Sequence, residues 1–336
     1  MPLTATTRRL AAVGLMVRRP AVLAALAVLV AAGTLLPFAL SAAPAVSATS
    51  PSLAEPLPPP AVPTARPAAP VPQVGPGTPG GDSRRMTLQS GGLERTYFLL
   101  PALGLEPGEK ASLLVVLHQD VSSGREIAKD LGLDPLRRDG VTLAYPNGFG
   151  GSWNSGACCG IAAQQDIDDV GFVNAVLDDV GRHTPVDPAR RALLGYSGGG
   201  MLAYRLLCGE HPPLVAAVEI NGSLEAHCRN GLAVPDLLSV HGEKDGSIGV
   251  TTSRFVNHLH MAPRSVASTL ATVTGQAGCN EQRTSRSNGI ELWRWDGCRG
   301  GGTVEVQIVP GAGHGWADVG GAERALSWLR PRLSRR

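Results

Sequence analysis

The stretch Gly195-Tyr196-Ser197-Gly198-Gly199 decides the fold. Residues 192–194 before it are apolar and predict a strand, while residues 201–207 after it predict a helix. A serine between glycines at a strand-to-helix turn is typical of a nucleophile elbow, where small neighbours permit the crowded turn and the hydroxyl stands above the sheet. Ser197 is therefore the candidate nucleophile. The N–H of Gly198, at the helix start, is a candidate donor to an oxyanion. A glycine-rich turn without chemistry is the alternative.

Outward from this turn, short apolar runs alternate with helical patterns. Residues 113–117 are apolar throughout, as in a strand buried in a parallel sheet. Residues 168–180 place valine and leucine side chains on one helical face. Further strands are predicted at residues 93–100, 141–145, 216–220, 237–241 and 304–309, and a closing helix at residues 322–329. This alternation predicts an α/β fold, with a mostly parallel central sheet and helices on both faces.

A nucleophilic serine needs a base, and the base needs an orienting acid. In the chain order of hydrolases with this elbow, the acid and then the histidine follow the serine. Asp245 follows the predicted strand 237–241 and is the preferred acid, with Glu243 as the rival in the same loop. His314 follows the strand 304–309 and precedes the last helix, so it is the candidate base. The alternative for Asp245, Glu243 and His314 is that each is an ordinary solvated loop residue without a catalytic role.

The second oxyanion donor is expected in the loop after residues 113–117. The backbone N–H of Gln119 is the candidate, and His118 is expected to hold that loop by a hydrogen bond. Tyr196, Trp153 and Trp316 are candidates for substrate binding, although a core position for either tryptophan is an equal alternative. No HExxH or CxxC motif occurs, so no metal site is expected.

The chain contains six cysteines, an even number that suits disulfides in an oxidising compartment. Cys279 with Cys298 is the preferred pair, because these residues flank a predicted loop and strand. Cys208 with Cys228 is the second choice. The adjacent residues 158 and 159 could bond to each other or to other cysteines, and the sequence leaves that open.

Composition excludes two classes of protein. A chain of 336 residues that is 43% hydrophobic and 17% charged is too apolar to be disordered throughout. A net charge of +2 without a long basic run argues against binding to nucleic acid. The positive balance comes from four arginines in residues 1–48, because the rest of the chain holds 26 basic and 28 acidic residues.

The first 48 residues have the order of a secretory signal peptide, namely arginines, then an apolar run, then small residues up to Ala48. An uncleaved membrane anchor is the alternative, because residues 20–40 reach the length that spans a bilayer. Residues 49–83 are rich in proline and alanine and predict an extended linker. Residues 84–336 are then one catalytic domain, secreted or held near a membrane or cell wall, which we expect to be a monomer.

These features, in this order, resemble the secreted polyhydroxybutyrate depolymerase-like and feruloyl esterase-like α/β-hydrolases, over roughly residues 90–330. The residues that carry the resemblance are Arg95-Thr96-Tyr97 with Pro101, Leu117-His118, Tyr145-Pro146, residues 168–172, residues 195–199, Asp245, and Gly313-His314 with Trp316. The resemblance implies hydrolysis of carboxylic esters through an acyl-enzyme, without metal or cofactor. It also implies a pair between Cys279 and Cys298.

The chain departs from the family in two places. Gln119 stands where the family usually has glycine, and residues 246–249 differ from the family's usual segment, so the substrate rim is expected to differ. We expect a soluble feruloyl, acetyl or short hydroxyalkanoate ester as substrate, rather than solid polyester. The alternatives are an acyltransferase or peptidase on the same fold, and a non-catalytic binding protein at the cell surface that retains the hydrolase fold.

Overall fold

The computed structural model describes residues 83–334, and its central feature is one sheet. The predicted export segment, residues 1–48, and residues 49–82 of the predicted linker lie outside the described residues. Ten strands of the described chain form the sheet: β1 (Arg84–Ser90), β2 (Leu93–Leu100), β3 (Ala111–Leu117), β4 (Val141–Pro146), β5 (Val186–Tyr196), β6 (Ala216–Ile220), β7 (Asp236–Gly242), β8 (Arg283–Ser287), β9 (Ile290–Trp295) and β10 (Val304–Val309).

The strands lie in the order β1-β2-β4-β3-β5-β6-β7-β10-β9-β8. The six strands from β4 to β10 in this order run parallel to their neighbours. The two strands at either end pair antiparallel. Because neighbouring parallel strands end at the same edge, the loops after β3, β5, β6, β7 and β10 come together there, which is where open α/β sheets bind their ligands.

The helices cover both faces of this sheet. They are α1 (Gly124–Asp130), α2 (Pro135–Arg138), α3 (Gly160–Gln164), α4 (Asp169–Asp179), α5 (Gly198–Cys208), α6 (Val266–Ala277) and α7 (Gly321–Leu333), with 3-10 turns at Val180–Arg182 and Asn257–Leu259. Within β3, Leu113, Val115 and Leu117 pack in one apolar core with α4, α5 and α6. Leu114 and Val116 pack in a second core with α1, α2 and α7. The predicted mostly parallel sheet with helices on both faces is therefore confirmed. None of the helices in residues 83–334 has the length and apolar character that a membrane crossing requires.

A buried ion pair ties β2 to α4. The Arg95 guanidinium lies 2.6 Å from Oδ1 of Asp169, and the two side chains are 4% and 0% exposed. The other oxygen of Asp169 accepts the backbone N–H of Asn154, and the guanidinium stacks on the ring of Phe172 at 3.9 Å. Both oxygens of the Asp169 carboxylate thus accept a hydrogen bond, as a charge buried away from water requires.

Candidate active site

Ser197 stands at the turn between β5 and α5, just beyond the edge of the sheet. It is the residue before the first turn of α5 and has φ +54° and ψ −118°, a backbone conformation that is unusual for any residue except glycine. The turn is crowded, because a Cβ on Gly199 would lie 2.3 Å from the carbonyl oxygen of Leu117 in β3. The predicted strand-to-helix elbow is therefore present, with glycine where the backbones approach most closely.

Two loops from other strands bring His314 and Asp245 to this serine. The Oγ of Ser197 lies 2.8 Å from Nε2 of His314, and Nδ1 of His314 lies 2.7 Å from Oδ2 of Asp245. The second oxygen of Asp245 accepts the backbone N–H groups of Ser247 and Ile248 at 2.7 and 2.9 Å. These contacts form one hydrogen-bonded chain from a carboxylate through an imidazole to a hydroxyl.

The carboxylate of Asp245 is 2% exposed. Its burial acts to raise its pKa, but the hydrogen bond and charge of His314, together with the two N–H donors, outweigh burial and hold the pKa below its usual value. Asp245 is therefore ionised at neutral pH. Glu243, the alternative acid, instead accepts the N–H of Gly311 at 2.8 Å. The structure thus brings Asp245 to His314, and directs Glu243 elsewhere.

The backbone of His314 is held by two donors that the sequence did not indicate. Its carbonyl oxygen accepts the Tyr196 hydroxyl at 3.1 Å and the Asn221 side-chain amide at 2.8 Å. The same hydroxyl accepts the N–H of Trp316 at 3.1 Å, and the side-chain oxygen of Asn221 accepts the N–H of Gly242 at 3.1 Å. Burial raises the pKa of Tyr196, so its hydroxyl stays protonated and remains a donor at neutral pH.

The loop after β3 lies against the start of α5. The buried ring of His118 accepts the N–H of Gly148 at Nε2, so Nδ1 carries the proton and donates to the Gln119 carbonyl at 2.7 Å. Burial lowers the pKa of His118 to about 4, consistent with a neutral ring. Gly198 directly follows Ser197, and a Cβ on Gly199 would lie 2.6 Å from the carbonyl oxygen of His118, so the segment that carries Gln119 runs beside the elbow. The predicted hydrogen bond from His118 to its loop is present.

The two candidate tryptophans differ in position. Trp153 is fully buried, and its Nε1 donates to the carbonyl of His118 at 2.8 Å. Trp153 therefore occupies a core position beneath this loop, which is the predicted alternative to substrate binding. Trp316 is half-buried, and its ring packs edge-on against Tyr196 with ring centres 5.6 Å apart.

All six cysteines form pairs. Cys279 pairs with Cys298 and Cys208 with Cys228, so both predicted disulfides are present. The adjacent residues Cys158 and Cys159 pair with each other across a cis peptide bond. Among residues 83–334, no group of three His, Cys, Asp or Glu side chains is placed to hold a metal ion.

The sequence of this chain is similar to those of known esterases. No protein-family model matches the chain. It is 27% identical over 157 residues to feruloyl esterase C of Emericella nidulans, a match that covers 45% of this chain and 55% of that protein. It is 23% identical over 230 residues to feruloyl esterase B of Piromyces equi, covering 63% and 41% of the two chains. The chain thus spans about half the length of these relatives.

Among solved structures, the acetyl xylan esterase from Aspergillus awamori superposes with a TM-score of 0.52 at 13% identity. The match covers 74% of this chain and 99% of that one. At this identity the likeness establishes the fold, which is that of the α/β-hydrolases. The chain therefore has the α/β-hydrolase fold, and its sequence is similar to those of feruloyl esterases.

Proposed function

We propose that the protein hydrolyses carboxylic esters, with Ser197 as nucleophile, His314 as general base and Asp245 as the acid that orients His314. The observation that carries the proposal is the unbroken hydrogen-bonded chain at the edge of the sheet, with contacts of 2.8 and 2.7 Å. The similarity to two feruloyl esterases supports it.

The geometry suggests each step. As the Ser197 oxygen attacks the ester carbonyl, its proton passes to Nε2 of His314, whose Nδ1–H already donates to Asp245. The backbone N–H groups of Gly198 and Gln119 are proposed to bind the oxygen that becomes negative. When the tetrahedral intermediate collapses, Nε2 returns the proton to the leaving alcohol. Water then repeats the sequence on the acyl-enzyme and releases the acid.

We propose feruloyl, acetyl or short hydroxyalkanoate esters as the substrate class. One relative carries the name feruloyl esterase C, and the superposed structure that of an acetyl xylan esterase. Trp316, half-buried and packed on Tyr196 beside His314, is the proposed contact for an aromatic or sugar group. Aromatic side chains suit this task because they offer a large apolar face.

We further propose that the protein acts outside the cytoplasm, as a monomer whose partner is its ester substrate. Three disulfides in the described domain support the location outside the cytoplasm, because such bonds persist in oxidising compartments. The arginines and apolar run of residues 1–48 supply the export signal in this proposal.

The test compares the protein with its Ser197→Ala variant on p-nitrophenyl acetate, p-nitrophenyl butyrate and methyl ferulate. We expect turnover that falls by about 10⁴-fold or more in the variant, with an unchanged melting temperature. Turnover of methyl ferulate as well as the short esters would assign a feruloyl-type acyl site. Equal activity of the variant would refute the role of Ser197, and no turnover by folded protein would favour the binding-protein alternative.

Adding a soluble alcohol to the same assay separates hydrolysis from acyl transfer. An esterase releases the free acid as its main product, whereas an acyltransferase diverts most acyl groups to the alcohol. We expect the free acid.

A further inference from the structure

A second acidic side chain, Asp120, reaches the site from the loop after β3. Its carboxyl group lies directly on Gly198, because a Cβ at that glycine would be 2.4 Å from Oδ2 and 2.7 Å from Oδ1 of Asp120. Gly198 is the residue whose N–H is proposed to hold the oxyanion. The carboxyl of Asp120 therefore borders the place where the reaction develops negative charge.

The surroundings of this carboxyl favour its neutral form. Its Oδ1 is buried and accepts no hydrogen bond from the described residues. The imidazole of His314, in the loop after β10, acts on it electrostatically when it carries a proton, while the ring of His118 is neutral. Burial raises the pKa of Asp120 to about 6, although the positive charge of protonated His314 works in the opposite direction.

The two forms of Asp120 have opposite effects on an ester carbonyl bound by Ser197. A carboxylate bordering the oxyanion would repel it, since unit charges a few ångströms apart interact strongly near a protein surface. A neutral carboxylic acid brings no charge and carries an O–H donor, and a neutral acid of this kind can support an oxyanion.

We propose that Asp120 takes part in the reaction as the neutral acid, and that its ionised form opposes the tetrahedral intermediate. This inference rests on the proposed ester hydrolysis. It makes the activity of the protein sensitive to the protonation of a group outside the Ser197, His314 and Asp245 chain.

The test is the pH dependence of kcat/KM between pH 4.5 and 8.5 for the wild type and Asp120→Asn, on p-nitrophenyl acetate. Asparagine has nearly the same shape and carries no charge at any pH. His314 and Asp245 are unchanged in the variant, so the ratio of variant to wild type reports on Asp120. We expect this ratio to be constant below pH 5 and to rise about tenfold per pH unit above pH 6, approaching a hundredfold at pH 8.

Asp318→Asn is the matched control, since this exposed carboxylate also lies in the loop of His314, where it accepts the N–H of Gly315. Its ratio to wild type should not change with pH. A ratio for Asp120→Asn that is independent of pH would overturn the proposal. A ratio that falls as pH rises would also overturn it, because the carboxylate would then be the useful form, as in binding a cationic substrate.

Thermal melting gives a readout that does not depend on activity. A carboxyl whose pKa is about 6 when folded and near 3.9 when unfolded destabilises the fold progressively as pH rises between these values. Asp120→Asn should therefore melt at a higher temperature than wild type at pH 8, and at the same temperature at pH 3.5. Equal melting at pH 8 would contradict a pKa of Asp120 that is raised in the folded protein.

Failure of the Asp120 proposal can be distinguished from failure of the variant to fold and from failure of the proposed ester hydrolysis. If Asp120→Asn does not fold, Asp120→Ser, which also lacks the charge, replaces it in both measurements. Activity that does not depend on Ser197 would refute the proposed function itself. Activity that depends on Ser197 together with a flat ratio would refute only the role of Asp120.

Discussion

Replacing Tyr196 with phenylalanine tests whether this side chain positions the base or binds substrate. The change removes only the hydroxyl, which donates to the carbonyl of His314 and accepts the N–H of Trp316, each at 3.1 Å. The ring and its packing against Trp316 remain. Asn221 still donates to the same carbonyl at 2.8 Å, so His314 loses one of two donors.

The magnitude follows from the two hydrogen bonds that are lost. Each neutral hydrogen bond contributes about 0.5–1.5 kcal/mol net. The segment from His314 to Trp316 therefore loses about 1–3 kcal/mol of positioning free energy. Because Asn221 retains part of the restraint, we expect the lower half of this range, which corresponds to a loss in kcat of about tenfold.

The assay measures kcat and KM separately on p-nitrophenyl acetate. We expect kcat to fall and KM to stay within about twofold, because the hydroxyl is engaged with the backbone of the base rather than facing substrate. Tyr97→Phe is the matched control, because it also removes one tyrosine hydroxyl, which donates to Asp179 at 2.8 Å away from the site. This control should lower stability and leave kcat unchanged. A raised KM with unchanged kcat in Tyr196→Phe would refute the reasoning and favour a direct substrate contact.

Two stability predictions follow from buried or covalent links in the described domain. Asp169→Ala leaves the Arg95 guanidinium buried without its partner, so it should lower the free energy of unfolding by about 3–5 kcal/mol, measured by urea denaturation. Glu94 is an exposed neighbour of Arg95 and supplies the control variant Glu94→Ala. A loss for Asp169→Ala no larger than that of the control would contradict the prediction. Replacing Cys208 and Cys228 together with serine should cost about 2–4 kcal/mol, since their disulfide closes a loop with a sequence separation of 20 residues, and unchanged urea midpoints would contradict a formed bond.

The parts of the fold that were predictable are those with a continuous apolar signal. Strands β3, β4 and β6 are buried along their whole length, and their sequences are apolar except for Ser112, Thr142 and Glu219. Strand β8 was not predicted, because its five residues Arg283–Ser287 are all exposed and polar at the edge of the sheet. Its structure depends on pairing with β9, which no local pattern reveals.

Helix α6 was also missed, although Ser265 caps its first turn by accepting the N–H of Ser268. Its sequence is rich in threonine and valine, which have low helix propensity, so tertiary packing rather than local preference determines it. The strand before Ser197 was predicted too short, since β5 begins at Val186 rather than at residue 192. The first half of β5 is polar and partly exposed, and therefore gave no apolar run.

The candidate site was predictable where chain order and local context carry the signal. Ser197, Asp245 and His314 each follow a strand in the expected order, and the structure brings their side chains into hydrogen-bonding contact. Their catalytic roles remain a proposal. Asn221 and Asp120 gave no such signal, because their relation to His314 and Gly198 arises only from the order of strands in the sheet.

The most direct test of the central claim is covalent labelling of Ser197 by a fluorophosphonate, followed by intact-protein and peptide mass spectrometry. Attack by the Ser197 oxygen on phosphorus releases fluoride, and His314 accepts the proton from the hydroxyl. We predict one adduct per chain, located on Ser197, absent in Ser197→Ala and formed far more slowly in His314→Ala. A folded protein that forms no adduct, or forms it with equal speed in both variants, would contradict the account.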